Sequence, residues 1–215
     1  MNKKANKKQN NLTIHQKKKL LKKLKLNALN KTSSLNSKNK LNLTYQQRQM
    51  WLLYQMNPNS TNYTVCSRID FKGPLLKEHL KDCIQKIIQK NTILKTQYIQ
   101  TQSDVIQVTP EKCIFIEEFD LENKTDNEQT ITELTDKLTS EPFNLTKEAP
   151  IRMQLIKNSK THHTLIINGH HIAVDGTSLK ILLMELKKEY QKLNKRSAHS
   201  PVNIEAIGVL SHIDY

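Results

Sequence analysis

The chain has 215 residues, 36% hydrophobic and 25% charged; this balance suits one sizeable soluble domain or one lobe of a larger one, and no run approaches the roughly 18 apolar residues of a membrane span. The formal charge of +14 suggests nucleic acid until it is divided: thirteen of the 34 Lys and Arg lie in residues 1–40, which hold no Asp or Glu, leaving 21 basic against 20 acidic side chains in the rest. No basic reading motif interleaved with stacking aromatics accompanies that charge, so nucleic acid is not an expected partner.

Residues 1–40 form a leader. Met1 to about Asn11 is rich in Lys, Asn and Gln and is expected to be disordered. Thr13 to Leu29 places Leu20, Leu21, Leu24 and Leu26 among lysines, the pattern of a short basic amphipathic helix, a docking segment or a solvated leader helix; Lys31 to Lys40 reads as a linker. No continuous apolar core of a secretory signal follows the first lysines, and the absence of Arg speaks against a transit peptide. Cys66, Cys83 and Cys113 are odd in number and far apart, which fits neither a disulfide framework nor a zinc knuckle and makes a reducing cytosol the simplest setting.

At Leu43 the character changes. Thr44 with Gln47 makes a capping box, and Met50, Trp51 and Tyr54 share a stripe, so a helix starts here. Tyr63 to Phe71 alternates as a strand. Pro74 sits at a first helical position, and Leu76, Leu80, Cys83, Ile84, Ile87 and Ile88 make a 3.6-residue face ending near Asn91. Gln102 to Val108 and Ile114 to Asp120 read as strands flanking the Pro110 turn, and Asn127 to Leu138 as a helix with Ile131, Leu134 and Leu138 inward. Met153 to Asn158 and His162 to Ile167 form a hairpin around Ser159-Lys160, with His162 and His163 exposed. The apolar run then ends at His170-His171, and Asp175-Gly176-Thr177-Ser178 opens a helix from Thr177 to about Leu193. Consecutive residues on a strand end point to opposite faces, so one histidine is the candidate actor and the other its support. Lys195 to Pro201 is a linker.

The spacing His170-His171-x-x-x-Asp175-Gly176 resembles the signature of the condensation domains of non-ribosomal peptide synthetases, in the superfamily that includes chloramphenicol acetyltransferase. Thr44, Gln47, Met50, Trp51, Pro58 and Tyr63 fall in register with that family's opening motif, although its arginine position holds Gln49, with Arg48 one place early. Leu94 and Thr96 match a second motif, and Lys95 and Tyr98 are similar in type, while Lys90, Asn91 and Thr92 replace an Arg-His-Glu triplet. Pro142-Phe143-Asn144-Leu145 and Pro150-Ile151-Arg152 resemble a third, with Asn144 in place of Asp. Ser211 to Tyr215 is similar to a stretch that a second lobe follows. The resemblance spans residues 41–215 and the N-terminal lobe, with the second lobe absent from this sequence.

The resemblance implies an α/β lobe of the chloramphenicol acetyltransferase-like fold, a mixed and mostly antiparallel sheet with packed helices. It implies amide formation between a donor thioester and an acceptor amine, both delivered by carrier proteins. His171 would lie in a channel between two lobes, accepting the amine's proton or orienting the amine; His170 would support it, Asp175 hold an arginine, and Gly176 let the backbone pass close by. Asp175 also reads as a helix N-cap. No bound cofactor is implied beyond the phosphopantetheine arms of the carriers, and no metal. An epimerisation domain carries the same histidines, and a non-catalytic fragment that binds a carrier protein or a partner lobe is the rival reading.

Overall fold

The computed structural model describes residues 40–211 apart from 103, 112–113, 125 and 197–200, and only the backbone of 40, 196 and 207–211. Residues 1–39 of the leader, with its expected helix, Cys113 and the last four residues lie outside the described residues, while Lys40, expected in the linker, begins a strand.

The chain runs β1 (Lys40–Asn42), α1 (Tyr45–Met56), β2 (Thr64–Lys72), α2 (Lys77–Lys90), a 3-10 turn (Thr92–Lys95), β3 (Gln97–Gln100), β4 (Val105–Val108), β5 (Ile116–Asp120), α3 (Asn127–Ser140), β6 (Ile151–Ser159), β7 (His162–His170), α4 (Gly176–Arg196) and β8 (Asn203–Ser211). The strands form a five-stranded sheet in the order β5-β6-β7-β2-β8 and a three-stranded sheet in the order β1-β4-β3. Every pairing is antiparallel except β5 with β6. The α/β class and the mostly antiparallel sheet agree with expectation. The second sheet departs from it, and Gln97–Gln100 is a strand that no local pattern predicts.

Alternation along the central strands divides the large sheet's two faces. Val65, Ile69 and Phe71 of β2, Met153 and Leu155 of β6, and Leu165 and Ile167 of β7 turn toward α2 and α4 and make the main core with Leu80, Ile84, Leu179 and Tyr190. Cys66, Ile156 and Ile166 turn the other way and pack with Ile131 and Leu138 of α3. β7 is therefore covered on both faces. That explains a correction: His163 is 4% exposed rather than an exposed strand residue, and burial pushes its pKa down. His162 is half-buried, its Nε2 3.2 Å from Asp70 Oδ2.

Local chemistry sets the helix ends. Thr44 Oγ1 accepts from Gln47 N–H at 3.3 Å and Gln47 Oε1 accepts from Thr44 N–H at 2.9 Å, completing the capping box. α2 starts at Lys77, not Pro74, because Leu76 is extended and gives its N–H to the Tyr190 hydroxyl at 2.9 Å. Its other end is closed by Asn91, whose side-chain amide donates to the Ile87 carbonyl at 3.0 Å. α4 runs three residues past Leu193, so Lys195 and Arg196 are helical rather than part of a linker. No helix among the described residues is long and apolar enough to cross a membrane.

Candidate functional site

β7 ends at His170, and the chain reverses through His171, Ile172 and Ala173 before α4 begins. Backbone hydrogen bonds hold the reversal on both sides. His170 N–H donates to the Pro150 carbonyl and His171 N–H to the Tyr63 carbonyl, each at 2.9 Å, while Ala173 and Val174 N–H both reach the His170 carbonyl, at 2.9 and 3.1 Å. The turn is thus tied to the loops entering β6 and β2, the two neighbours of β7. It also folds back on its own strand: a Cβ on Gly169 would lie 2.3 Å from Val174 Cγ2, closer than side-chain carbons approach. A glycine inside an apolar strand commonly marks such an approach. Gly169 is a residue that sequence reasoning passed over; Gly176, to which the resemblance gives a close-approach role, is the first residue of α4.

His170 is 3% exposed and seated edge-on against two rings, Tyr54 at 6.3 Å and Phe143 at 6.1 Å between centroids. Its Nδ1 accepts from Ile172 N–H at 3.1 Å, so that nitrogen carries no proton and the ring is the neutral Nε2–H tautomer. Burial, with a smaller contribution from His171, pushes its pKa down to about 4. The seat itself is built by the partial motifs. Trp51 packs on Tyr54 and on Tyr98, at 5.2 and 6.1 Å between centroids. Leu43, Trp51, Tyr98, Phe143, Leu145 and Ile172 form one buried cluster, and the Tyr98 hydroxyl donates to the Ile172 carbonyl at 3.5 Å. Arg152 clamps the Phe143 loop, donating to the Glu141 and Pro142 carbonyls at 2.7 and 2.9 Å and to Glu148, with its guanidinium 4.2 Å from the Phe143 ring centre. Asn144, where the family motif has Asp, still accepts: its Oδ1 takes the Thr146 hydroxyl at 2.7 Å.

This geometry makes His170 a stability group whose sign can be worked out. A pKa near 4 in the fold against about 6.5 in the unfolded chain means the unfolded chain binds more protons between those values, so stability falls as pH drops through that window. The full loss is about 3 kcal/mol by pH 4 and none above pH 7. His170→Asn keeps an acceptor for Ile172 N–H and removes the titration. We expect its denaturant-measured stability to lie below wild type at pH 7 yet to fall less between pH 7 and 4.5; parallel curves for the two proteins would refute the assignment.

His171 is half-buried, and its Nε2 is shielded from solvent with no hydrogen-bond partner among the described residues. Desolvation lowers its pKa, and the Asp175 carboxylate partly opposes that shift. Asp175 is exposed, and its Oδ1 accepts from Ser178 N–H at 2.7 Å, an N-cap on α4 that holds its own pKa below the usual carboxylate range. No arginine among the described side chains reaches it: Arg48 pairs with Asp104, Arg68 with Asp70 and Glu128, and Arg152 with Glu148. The arrangement therefore offers a neutral imidazole nitrogen, a carboxylate that biases it, and a rigid turn. Burial raises the Cys66 thiol to about 12 and Cys83 to about 11, so neither is a thiolate nucleophile at neutral pH.

The family model described as "Condensation domain" matches residues 37–205. The chain is 33% identical over 145 residues to surfactin synthase subunit 2 of Bacillus subtilis (strain 168), covering 67% of this chain and 4% of that protein. It is 30% identical over 145 residues to tyrocidine synthase 2 of Brevibacillus parabrevis, with the same shares. Among solved structures it resembles the starter condensation domain of rhizomide synthetase (TM-score 0.68, 18% identity, 75% of this chain and 41% of that one). It also resembles the first condensation domain of the calcium-dependent antibiotic synthetase (TM-score 0.67, 20% identity, 75% and 41%). The chain thus spans about 4% of these curated relatives and about 41% of these solved domains.

Proposed function

The chain belongs to the condensation-domain family, and from that premise we propose that it acts as the N-terminal lobe of a domain joining a carrier-bound acyl or peptidyl donor to the amine of a carrier-bound acceptor. The acceptor nitrogen attacks the donor thioester carbonyl, a C–N bond forms, the C–S bond breaks, and the amine's proton leaves as the donor thiol is released. His171 takes that proton or orients the amine, His170 sets the turn, and Asp175 caps α4 and tunes His171. The observation that carries this reading is the His171 Nε2, without a partner among the described residues, at a turn held by the backbone N–H groups of His170, His171, Ala173 and Val174. In the tautomer that leaves Nε2 unprotonated, this nitrogen is an acceptor that an incoming N–H would satisfy. A neutral imidazole suits the task because the attacking amine must shed its proton near pH 7.

The partners in this proposal are the two loaded carriers and a second lobe that completes a channel over the turn. The test is direct: supply the full protein with one donor-loaded and one acceptor-loaded carrier and follow the amide by mass spectrometry. Product that requires both loaded carriers supports the reading. A folded protein that binds a carrier but never yields amide with its own loaded pair, second lobe included, overturns catalysis and supports the binding-module alternative.

A further inference from the structure

A groove of about 560 Å³ opens where the C-terminal end of α3, the β5–β6 edge and the loop between α3 and β6 meet. Neither histidine lines it. Leu138 is its apolar wall on the α3 side, and Ile151 and Met153 of β6, whose side chains belong to the other face of the sheet, border it. At its mouth stands Phe115, 81% exposed, an aromatic ring left in water. The charged rim is uneven. Lys95, Lys137 and Lys147 border the groove and form no ion pair among the described residues, whereas the carboxylates of Glu117 and Glu148 are engaged by Gln154 and Arg152. With Arg152 and Glu141 included, four basic side chains face three acidic ones, a surplus of a single positive charge.

Inside, Gln154 is 4% exposed; its Nε2 donates to Glu117 Oε2 at 2.9 Å, and its Oε1 has no partner among the described residues. Buried amide oxygens are almost always paired, so this one is suited to a donor brought by a ligand. The volume falls within the span of small-molecule sites, which combine apolar walls with a few placed polar groups.

We infer that this groove is a second binding site, for an amphipathic organic monoanion: an apolar body against Leu138 and Phe115, a carboxylate among Lys95, Lys137 and Lys147, and a hydroxyl or amide N–H donating to Gln154 Oε1. The single-charge surplus favours a carboxylate over a doubly charged phosphate. The inference does not rest on amide formation, and binding is read without turnover.

Calorimetric titration of the full protein with ω-hydroxydecanoate, decanoate and decanol, below their aggregation concentrations, tests it. Saturable one-to-one binding is expected, the hydroxylated acid about threefold to tenfold tighter than decanoate, as one added hydrogen bond allows. Decanol should be weaker than decanoate by up to about fivefold, as exposed charge pairs allow. Gln154→Leu should erase the preference for the hydroxyl, Lys95→Gln with Lys147→Gln the preference for the carboxylate, and Phe115→Ser, at a position too exposed to endanger folding, should weaken all three. Non-saturable binding, equal affinity for the three compounds, or full affinity in Phe115→Ser would overturn the site.

Discussion

His171→Ala is expected to slow amide formation by about 10²- to 10⁴-fold, the range that a positioned general base contributes, with little change in carrier binding and a small change in stability, since the ring is half-buried and makes no side-chain hydrogen bond through Nε2. Two mechanisms would give a large loss, and the pH profile separates them. If His171 takes the proton, the wild-type rate falls as pH drops through its pKa, which desolvation places below the ordinary histidine value. That acid limb disappears in His171→Ala. If the ring only orients the amine, the alanine variant keeps the wild-type profile at a lower level, because misplacement alone can lose about 10²-fold. Asp175→Asn adds a second reading: Asn still caps α4, but the carboxylate that raises the His171 pKa is gone, so the acid limb moves to lower pH. Unchanged turnover in His171→Ala would remove the residue from the reaction altogether.

Gly169→Ala should be the most damaging single methyl in the site. Its Cβ would sit 2.3 Å from Val174 Cγ2, and Val174 is 3% exposed, β-branched and packed in the main core, so it has no free rotamer to yield. Overpacking of this kind costs about 1–3 kcal/mol. The methyl also pushes on the turn that carries His171, two residues away, so condensation should fall further than the loss of folded protein explains. Gly169→Ala with Val174→Ala removes the opposing carbon and should recover turnover relative to the single variant, while retaining a stability deficit from the truncated valine. Thermal denaturation and turnover of the three proteins check this; a Gly169→Ala protein as stable and active as wild type would show that the turn does not close on its strand as described.

Much of the fold was legible because its elements carry local signals. The capping box at Thr44, the 3.6-residue face of α2, the β6–β7 hairpin and the Asp175 cap each depend on residues within a turn or two of one another. The misses share the opposite property. β3 is four residues long with glutamine at both ends, and its place in a sheet is decided by β4, not by its own alternation. His163 is buried because β7 has helices over both faces, which a hairpin pattern cannot reveal. Trp51, Tyr98 and Phe143 each suggest core, and nothing in their spacing says that they converge under one histidine. Gly169 carries a signal, a glycine within an apolar strand, that marks a close approach without naming its partner.

That aromatic seat has a consequence for how the protein acquires its working shape. Tyr98 and Ile172, which meet across the cluster, are 74 positions apart in the chain, so their contact forms only once the loop joining them has closed. A short peptide copied from the histidine region would lack this support and sample many shapes. Competence in this domain thus depends on remote stretches meeting in one cluster, and lesions far from the histidines can silence the protein by loosening that meeting.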